Sequence, residues 1–135
     1  MAKFYAKDFV ITVDGDDLSA NIASVELSIE VDDQETTSFG TDGWRTRQGG
    51  LKQGSVSLSF HQDFGAGAVD ATLQPLIGSV VEVVIKPTSG AVSATNPSYT
   101  FDALVNAYVV SGAVGDLATF DVTWPVSGEI VRADA

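Results

Sequence analysis

The side chains that could carry chemistry are few, and they do not form a recognised catalytic pattern. The only histidine, His61, lies two residues from Ser59 and two from Asp63, so a Ser-His-Asp triad is the first reaction type to consider. The sequence has no G-x-S-x-G nucleophile elbow. His61 also continues the polar phase of its strand, which favours a solvated or structural histidine. We therefore expect no catalytic residues and no enzyme activity.

Metal and cofactor chemistry is equally weakly supported. Asp14, Asp16 and Asp17 stand in the stretch DGDD, but the ligand spacing of an EF-hand loop is absent. A tight turn that uses the backbone tolerance of Asp and Gly explains them sufficiently. The glycine-rich stretch 49–54 lacks the GK[ST] of a phosphate loop, and the chain has no cysteine for a thiolate site or a disulfide. The sequence predicts no metal and no cofactor.

Length and charge narrow the remaining functions. A chain of 135 residues with 44% apolar content is enough for one domain, 1–135, with a real core. The formal net charge of −11 disfavours a surface that grips nucleic acid, because such a surface must neutralise phosphates with Lys and Arg. It also disfavours docking on an anionic membrane. Nucleic acid that slides past without binding remains compatible with this charge.

The charged residues are distributed unevenly. Ten of the 18 acidic residues lie in the range 8–42, whereas three of the seven bases lie within eight residues of each other. These bases stand with a tryptophan in a glycine-rich segment, 40–54, for which a solvated loop is the simplest interpretation. The four residues are Trp44, Arg45, Arg47 and Lys52.

The dominant hydrophobic period is two, which predicts strands. One stretch, 67–78, has apolar residues at helical spacing and is closed by Pro75 and Gly78, so we expect one short α-helix there. Strands at this spacing, separated by turn residues, predict a mainly β sandwich or barrel. The predicted strands are 8–13, 24–31, 55–60, 80–87, 99–110 and 117–126. The tail 128–135 is expected to be free or to reach a neighbour.

Two of these strands have distinct faces. The apolar face is the expected core and comprises Val25, Leu27, Ile29, Val31, Val56, Leu58 and Phe60. The opposite face is small and polar and comprises Ser24, Glu26, Ser28, Glu30, Ser55, Ser57 and Ser59. If strands from several copies joined in a closed barrel, no strand edge would be free and this polar face would line the lumen. The sequence equally permits solvent on that face.

Several stretches together resemble the major tail tube proteins of long-tailed phages, particularly those of actinobacterial hosts. The resemblance runs through most of the chain and contains no catalytic signature. The matching stretches are MAKFYAKDFVITVDGDDLS, the SFG that ends at Gly40, GLKQGSVSLSFHQDF followed by GAVDATLQPLIG, VVIKPTSGAVSATNPSYT, and GAVGDLATFDVTW.

The resemblance implies a structural virion protein located in the phage tail and assembled in the host cytoplasm. Tail tube proteins are β-sandwiches with one helix that form rings, commonly hexameric, and the rings stack into a tube. Strands of every subunit build an inner β-barrel through which double-stranded DNA passes. A long loop reaches the adjacent ring, and here the matching loop is 40–54. Further implied partners are the tape measure, tail terminator and tail tip proteins.

The residue types agree with this implied assembly in two ways. Six copies would carry about −66 formal charges, and an acidic lumen gives phosphates nothing to bind. Stacking needs contacts between two different surfaces of the subunit, and Trp and Arg are enriched at binding hot spots. We therefore expect Trp44, Arg45, Arg47 and Lys52 to contact the next ring. The acidic patch expected to receive them comprises Asp32, Asp33 and Glu35.

Other functions remain open at this point. A capsid decoration, a head–tail connector, a tail terminator or another non-enzymatic β binding module would use a similar small β fold. A carbohydrate-binding module would group exposed aromatic residues on one face, and Trp44 and Trp124 are too far apart in sequence to indicate that. A small hydrolase or metal-binding domain is disfavoured by the missing motifs. The tube subunit of a contractile tail or of a secretion-type injection machine is a near neighbour of the leading interpretation.

Overall fold

The computed structural model describes residues 4–134, which form a sandwich of two antiparallel β-sheets with one short α-helix. The strands are β1 (Val10–Val13), β2 (Asp16–Asp17), β3 (Ile22–Glu35), β4 (Arg47–His61), β5 (Val80–Lys86), β6 (Ser98–Leu104), β7 (Thr119–Pro125) and β8 (Val131–Ala133). The helix α1 spans Val69–Leu73. One sheet has five strands in the order β2-β1-β5-β6-β8, and the other has three in the order β3-β4-β7. The mainly β fold predicted from the sequence is confirmed.

The core lies between the two sheets, because each strand turns alternate side chains inward. The inward residues of β4 and β7 are buried, and they are Val56, Leu58, Phe60, Phe120, Val122 and Trp124. The rings of Phe60 and Phe120 stack with their centroids 4.9 Å apart. The Trp124 Nε1–H donates to the Ala107 carbonyl at 3.0 Å, which satisfies the buried polar end of this side chain.

Two local predictions are confirmed. The DGDD stretch forms the turn between β1 and β2, where Asp14 and Gly15 both have positive φ, as a two-residue type I′ hairpin requires. Just after this turn, hydrogen bonds from the Ser19 hydroxyl and from the Ser19 N–H lower the pKa of Asp17. The predicted helix within 67–78 is α1, which is followed by a 3₁₀ turn at Gln74–Leu76.

Part of the predicted core is wrong. Ile29 and Val31 are 55% and 49% exposed, although Val25 and Leu27 of the same face pack against the core. β3 has 14 residues and β4 has 15, whereas the strands of the other sheet have seven or fewer. The outer halves of β3 and β4 therefore run beyond the sheet that would cover them.

The predicted loop 40–54 is in part a strand. Residues 47–54 belong to β4, and their backbone pairs with β3 along the range 29–35. Only residues 36–46 connect the two strands. Glycine is a poor strand former, so the glycines of 49–54 predict a loop. Pairing with β3 nevertheless holds this segment in a strand.

Two other boundaries differ from the predictions. The predicted strand 99–110 ends at Leu104, where the Asn106 N–H turns back to the Leu104 carbonyl at 3.0 Å in place of a ladder bond to the next strand. The tail predicted at 128–135 to be free or to reach a neighbour contains β8, which pairs with β6 of the same chain. The tail thus completes the five-stranded sheet.

Candidate assembly interface

The outward face of the three-stranded sheet is a continuous polar surface. The strand register places Ser24 beside Ser59 and Glu26 beside Ser57, and each row continues onto β7. All seven residues predicted to share this face do share it. The polar face comprises Ser24, Glu26, Ser28, Glu30, Gln53, Ser55, Ser57, Ser59, Asp121, Thr123 and Pro125. It includes three carboxylates and no Lys or Arg, so it is negative and wet.

Hydrogen bonds across the strands fix the polar side chains of this face. The Ser59 hydroxyl donates to Asp121 Oδ1, and the hydroxyls of Ser57 and Thr123 lie 3.0 Å apart. The partner of Ser59 is thus a neighbour on the sheet surface. The His61 side chain is placed differently, because its Nδ1 is buried and has no hydrogen-bond partner among residues 4–134. Within residues 4–134, His61 therefore does not act as a base on Ser59.

The three-stranded sheet has two open edges. In the order β3-β4-β7 the outer strands are β3 and β7, and each pairs with β4 on one side only among the described residues. The edge of β7 is contacted at its start by Ser111, whose hydroxyl donates to the Thr119 carbonyl at 2.7 Å. Open strand edges carry unpaired N–H and C=O groups that can pair with another chain. This sheet can therefore continue along β3 and along the middle of β7, between the Ser111 contact at its start and the bridge from Val126 to Ala103 just after its end.

A β-bulge separates the polar face from the projecting end of the β3–β4 hairpin. Val31 pairs with Lys52, but Asp33 pairs with Gly49, so β4 has one extra residue at this point. An extra residue turns the following side chains of that strand to the other face. Beyond the bulge, the side chains of β4 therefore lie on the opposite face from the one that the alternation in the body of the sheet would give them.

The predicted bases and the predicted acidic patch meet within one chain. Beyond the bulge Arg47 forms an ion pair with Asp33, and Arg45 Nη1 lies 3.5 Å from Glu35 Oε1. These pairs lie across the two arms of one hairpin and are largely exposed, so each is worth about 0–1 kcal/mol. Asp32 and Lys52 flank the bulge and are exposed. Contact of these residues with another ring stays a prediction.

The tip of the hairpin is an ordered turn with two exposed aromatic side chains. The Thr36 N–H donates to the Thr46 carbonyl at 2.8 Å. Asp42 and Gly43 both have positive φ, which Asp-Gly adopts readily. Phe39 is fully exposed and Trp44 is 77% exposed. A rigid turn that presents two large aromatic rings to solvent has the chemistry of a binding hot spot.

Sequence reasoning missed several residues of these surfaces. Gln53, Asp121 and Thr123 belong to the polar face, and the alternation of their strands was the signal that would have found them. Phe39 was overlooked at the tip because it stands in a polar stretch. Its exposure follows from a turn that pattern analysis did not detect.

Comparison with solved structures finds proteins with the same fold. A chain from the virion of a native gene transfer agent particle aligns with a TM-score of 0.77 and 14% identity, over 97% of this chain and 99% of that chain. A chain from the tail of an empty gene transfer agent particle, refined with helical and C6 symmetry, aligns with a TM-score of 0.61 and 16% identity. This alignment covers 82% of this chain and 81% of that chain. No protein-family model and no curated protein matches the sequence.

At these identities the likeness establishes the fold. It extends through nearly the whole length of both chains in the first case. In residues 4–134, no helix is long and apolar enough to cross a membrane. The same part of the chain has no group of three or more His, Asp or Glu residues placed to hold a metal ion.

Proposed function

We propose that this protein is a tail tube subunit that forms six-membered rings, which stack into a channel for DNA. The observation that carries the proposal is the three-stranded sheet, because it combines an acidic polar face with two open edges on one molecule. A solitary domain gains nothing from leaving a 14-residue edge strand unpaired. A ring subunit needs two such edges.

Ring closure follows from pairing the two edges of neighbouring copies. If β3 of one copy lies beside β7 of the next, six three-stranded sheets give a barrel of about 18 strands. Barrels of about 16–18 strands enclose an aqueous channel. The apolar side of the sheet is already covered by the five-stranded sheet, so the polar face is the side that lines the lumen. The C6 symmetry of the similar tail supports the choice of six.

The charge of the polar face suits passage of DNA without binding. Glu26, Glu30 and Asp121 give three negative charges per copy, or about −18 per ring of six. A phosphate backbone binds proteins chiefly by exchanging counterions for Lys and Arg. This face has neither residue, so DNA would slide through without being retained. Serine side chains keep the rest of the wall small and wet.

The same proposal gives location and partners. The protein would be part of the virion tail and would assemble in the host cytoplasm. Its principal partner is itself, and a tape measure, a tail terminator and a tail tip protein would set the length and the two ends of the tube. The similar chains come from a virion and a tail of phage-like particles, which supports this assignment.

Electron microscopy of the purified protein tests the proposal directly. We expect hollow rings or tubes with six-fold symmetry in negative stain, and a mass of about six subunits or multiples of it in solution. A protein that stays monomeric at high concentration, also with tail tip protein added as a nucleus, would contradict it. Closed trimers or single terminal rings would favour a decoration or a terminator function.

A further inference from the structure

The two ends of the three-stranded sheet carry complementary surfaces. At one end the β3–β4 hairpin projects with Phe39 and Trp44 exposed at its tip. At the opposite end, where His61 pairs with Thr119, two loops adjoin. Both ends lie on the same strands, so they point in opposite directions along the sheet.

The opposite end is built from residues 62–64 and 113–118. The Gln62 N–H donates to the Ala118 carbonyl at 2.9 Å, which brings the two segments side by side. Three large apolar side chains of this end are exposed, two of them mostly and one completely. They and the neighbouring acids form the far-end patch, which comprises Asp63, Phe64, Val114, Asp116 and Leu117.

We propose that the far-end patch is the seat for the hairpin tip of a second copy of this protein. The inference rests on the proposed stacking of rings and names the partner surface that stacking would use. The far-end patch combines exposed apolar side chains with acidic ones. The hairpin tip combines two exposed aromatic rings with the base Arg45, so the two surfaces are complementary in both polarity and charge. Contact between two different surfaces does not close on itself and so continues as a stack.

Charge complementarity favours this seat over the acidic patch of the hairpin. Asp33 and Glu35 already have cationic partners within their own chain. Asp63 and Asp116 are exposed and form no ion pair among residues 4–134. Arg45 is 72% exposed, and because a guanidinium has five N–H donors it can contact a second carboxylate while it keeps its contact with Glu35.

The hairpin projects well beyond the bulge. From the bulge at Val31 to Glu35 the strand rises by about 14 Å, because each strand residue adds about 3.4 Å. The turn 36–46 adds to this length. The aromatic rings therefore stand clear of the body of their own subunit, and an ordered turn loses little freedom on binding.

Cysteine crosslinking tests this contact, because the natural chain has no cysteine. Gly40→Cys is combined with Ala113→Cys, which are exposed positions beside the aromatic residues and the far-end patch, and assembled protein is treated with a short bis-maleimide. The matched control combines Gly40→Cys with Val131→Cys, since Val131 is exposed on the five-stranded sheet. We expect a ladder of covalent multimers for the first pair, at least about tenfold above the control. Tubes without that excess would overturn the seat while leaving the tube function intact.

Charge exchange provides a second test that does not alter the aromatic residues. Asp63→Arg with Asp116→Arg should raise the critical concentration for tube growth about tenfold, which corresponds to about 1.4 kcal/mol. Adding Arg45→Glu should restore growth. An unchanged critical concentration, or no rescue by the third substitution, would contradict the seat. Wild-type protein that forms neither rings nor tubes would instead refute the proposed function itself.

Discussion

In the proposed tube, reversing the charge of the polar face should make the channel retain DNA that it would otherwise repel. The perturbation is Glu26→Lys together with Glu30→Lys. Both side chains are exposed, and they stand opposite Ser57 and Gln53, so neither substitution breaks an ion pair among the described residues. Surface changes of this kind usually alter the free energy of unfolding by about 0.5 kcal/mol or less. We therefore expect folding and ring assembly to persist.

The size of the effect follows from the charges of the face. Each copy changes from −3 to +1, because two carboxylates become two ammonium groups, so six copies change from about −18 to about +6. Each phosphate that a lysine neutralises contributes about −0.9 to the slope of the logarithm of DNA affinity against the logarithm of salt concentration. If four of the twelve new lysines neutralise phosphates, this slope is about −3.6. That slope corresponds to a loss of about a hundredfold between 50 and 200 mM salt.

A nuclease-protection assay distinguishes DNA in the lumen from DNA on the outer wall. Tubes are assembled with short fluorescent duplexes, treated with nuclease and sedimented at several salt concentrations. The matched control is Glu82→Lys with Asp102→Lys, an exposed pair opposite each other on the five-stranded sheet, with the same change in net charge. We expect protected DNA with the polar-face variant, and nuclease-sensitive DNA with the control.

Two results would refute the reasoning. Equal protection by the two variants would mean that Glu26 and Glu30 do not face the lumen. Tubes of the polar-face variant that bind no DNA at low salt would mean that the lumen charge is irrelevant to passage.

In an infecting particle, the same variant should assemble tails that eject DNA poorly, and normal infectivity would argue against the assigned face.

Three further changes test other parts of the structure. Arg45→Glu with Arg47→Glu should leave the subunit folded, because exposed ion pairs contribute only about 0–1 kcal/mol each, but tubes seen by microscopy should no longer elongate. Gly54→Ala should lower the free energy of unfolding by about 1–3 kcal/mol, measured by urea titration, because the added Cβ would lie 2.7 Å from the Ile130 side chain and 3.0 Å from the Ser28 carbonyl. Gly112→Ala is the neutral control, because a Cβ at Gly112 has no other atom within 4 Å. Burial raises the pKa of Tyr108, so its stabilising effect is present below about pH 10 and is lost as pH rises through the shifted value. The Tyr108 hydroxyl donates to Asp70 Oδ1 at 2.6 Å, so Tyr108→Phe loses this hydrogen bond and should unfold at a lower temperature at pH 7, and this difference should shrink above about pH 10.

The sequence was sufficient for the two-faced strands. Alternation over 24–31 and 55–60 predicted which residues share the polar face, and the register of β3 with β4 agrees. Strict alternation is informative because a shift of one residue would move every side chain to the wrong face. The helical spacing of Val69 and Leu73 predicts a helix within 67–78, and both residues are buried in α1.

The misassigned segments depend on contacts between distant parts of the chain. Ile29 and Val31 look like core residues, but their exposure is decided by where the opposite sheet ends. Gly49 and Gly50 look like a loop, but backbone pairing with β3 makes them strand. The run after Leu104 looks like a strand, but the Asn106 N–H bonds back to the Leu104 carbonyl and the regular pairing stops there. None of these partners is visible in a local pattern.

The bulge resolves a conflict between the two surfaces that β4 must supply. Without it, the register of the body would continue, and the row of Ser57, Ser55 and Gln53 would end in Arg47 on the polar face. In the proposed tube that base would point toward passing DNA. The extra residue instead turns Arg47 to the face of Asp33, where it forms an ion pair. One inserted residue therefore keeps a positive charge off the polar face and places it in an ion pair between the two arms of the hairpin.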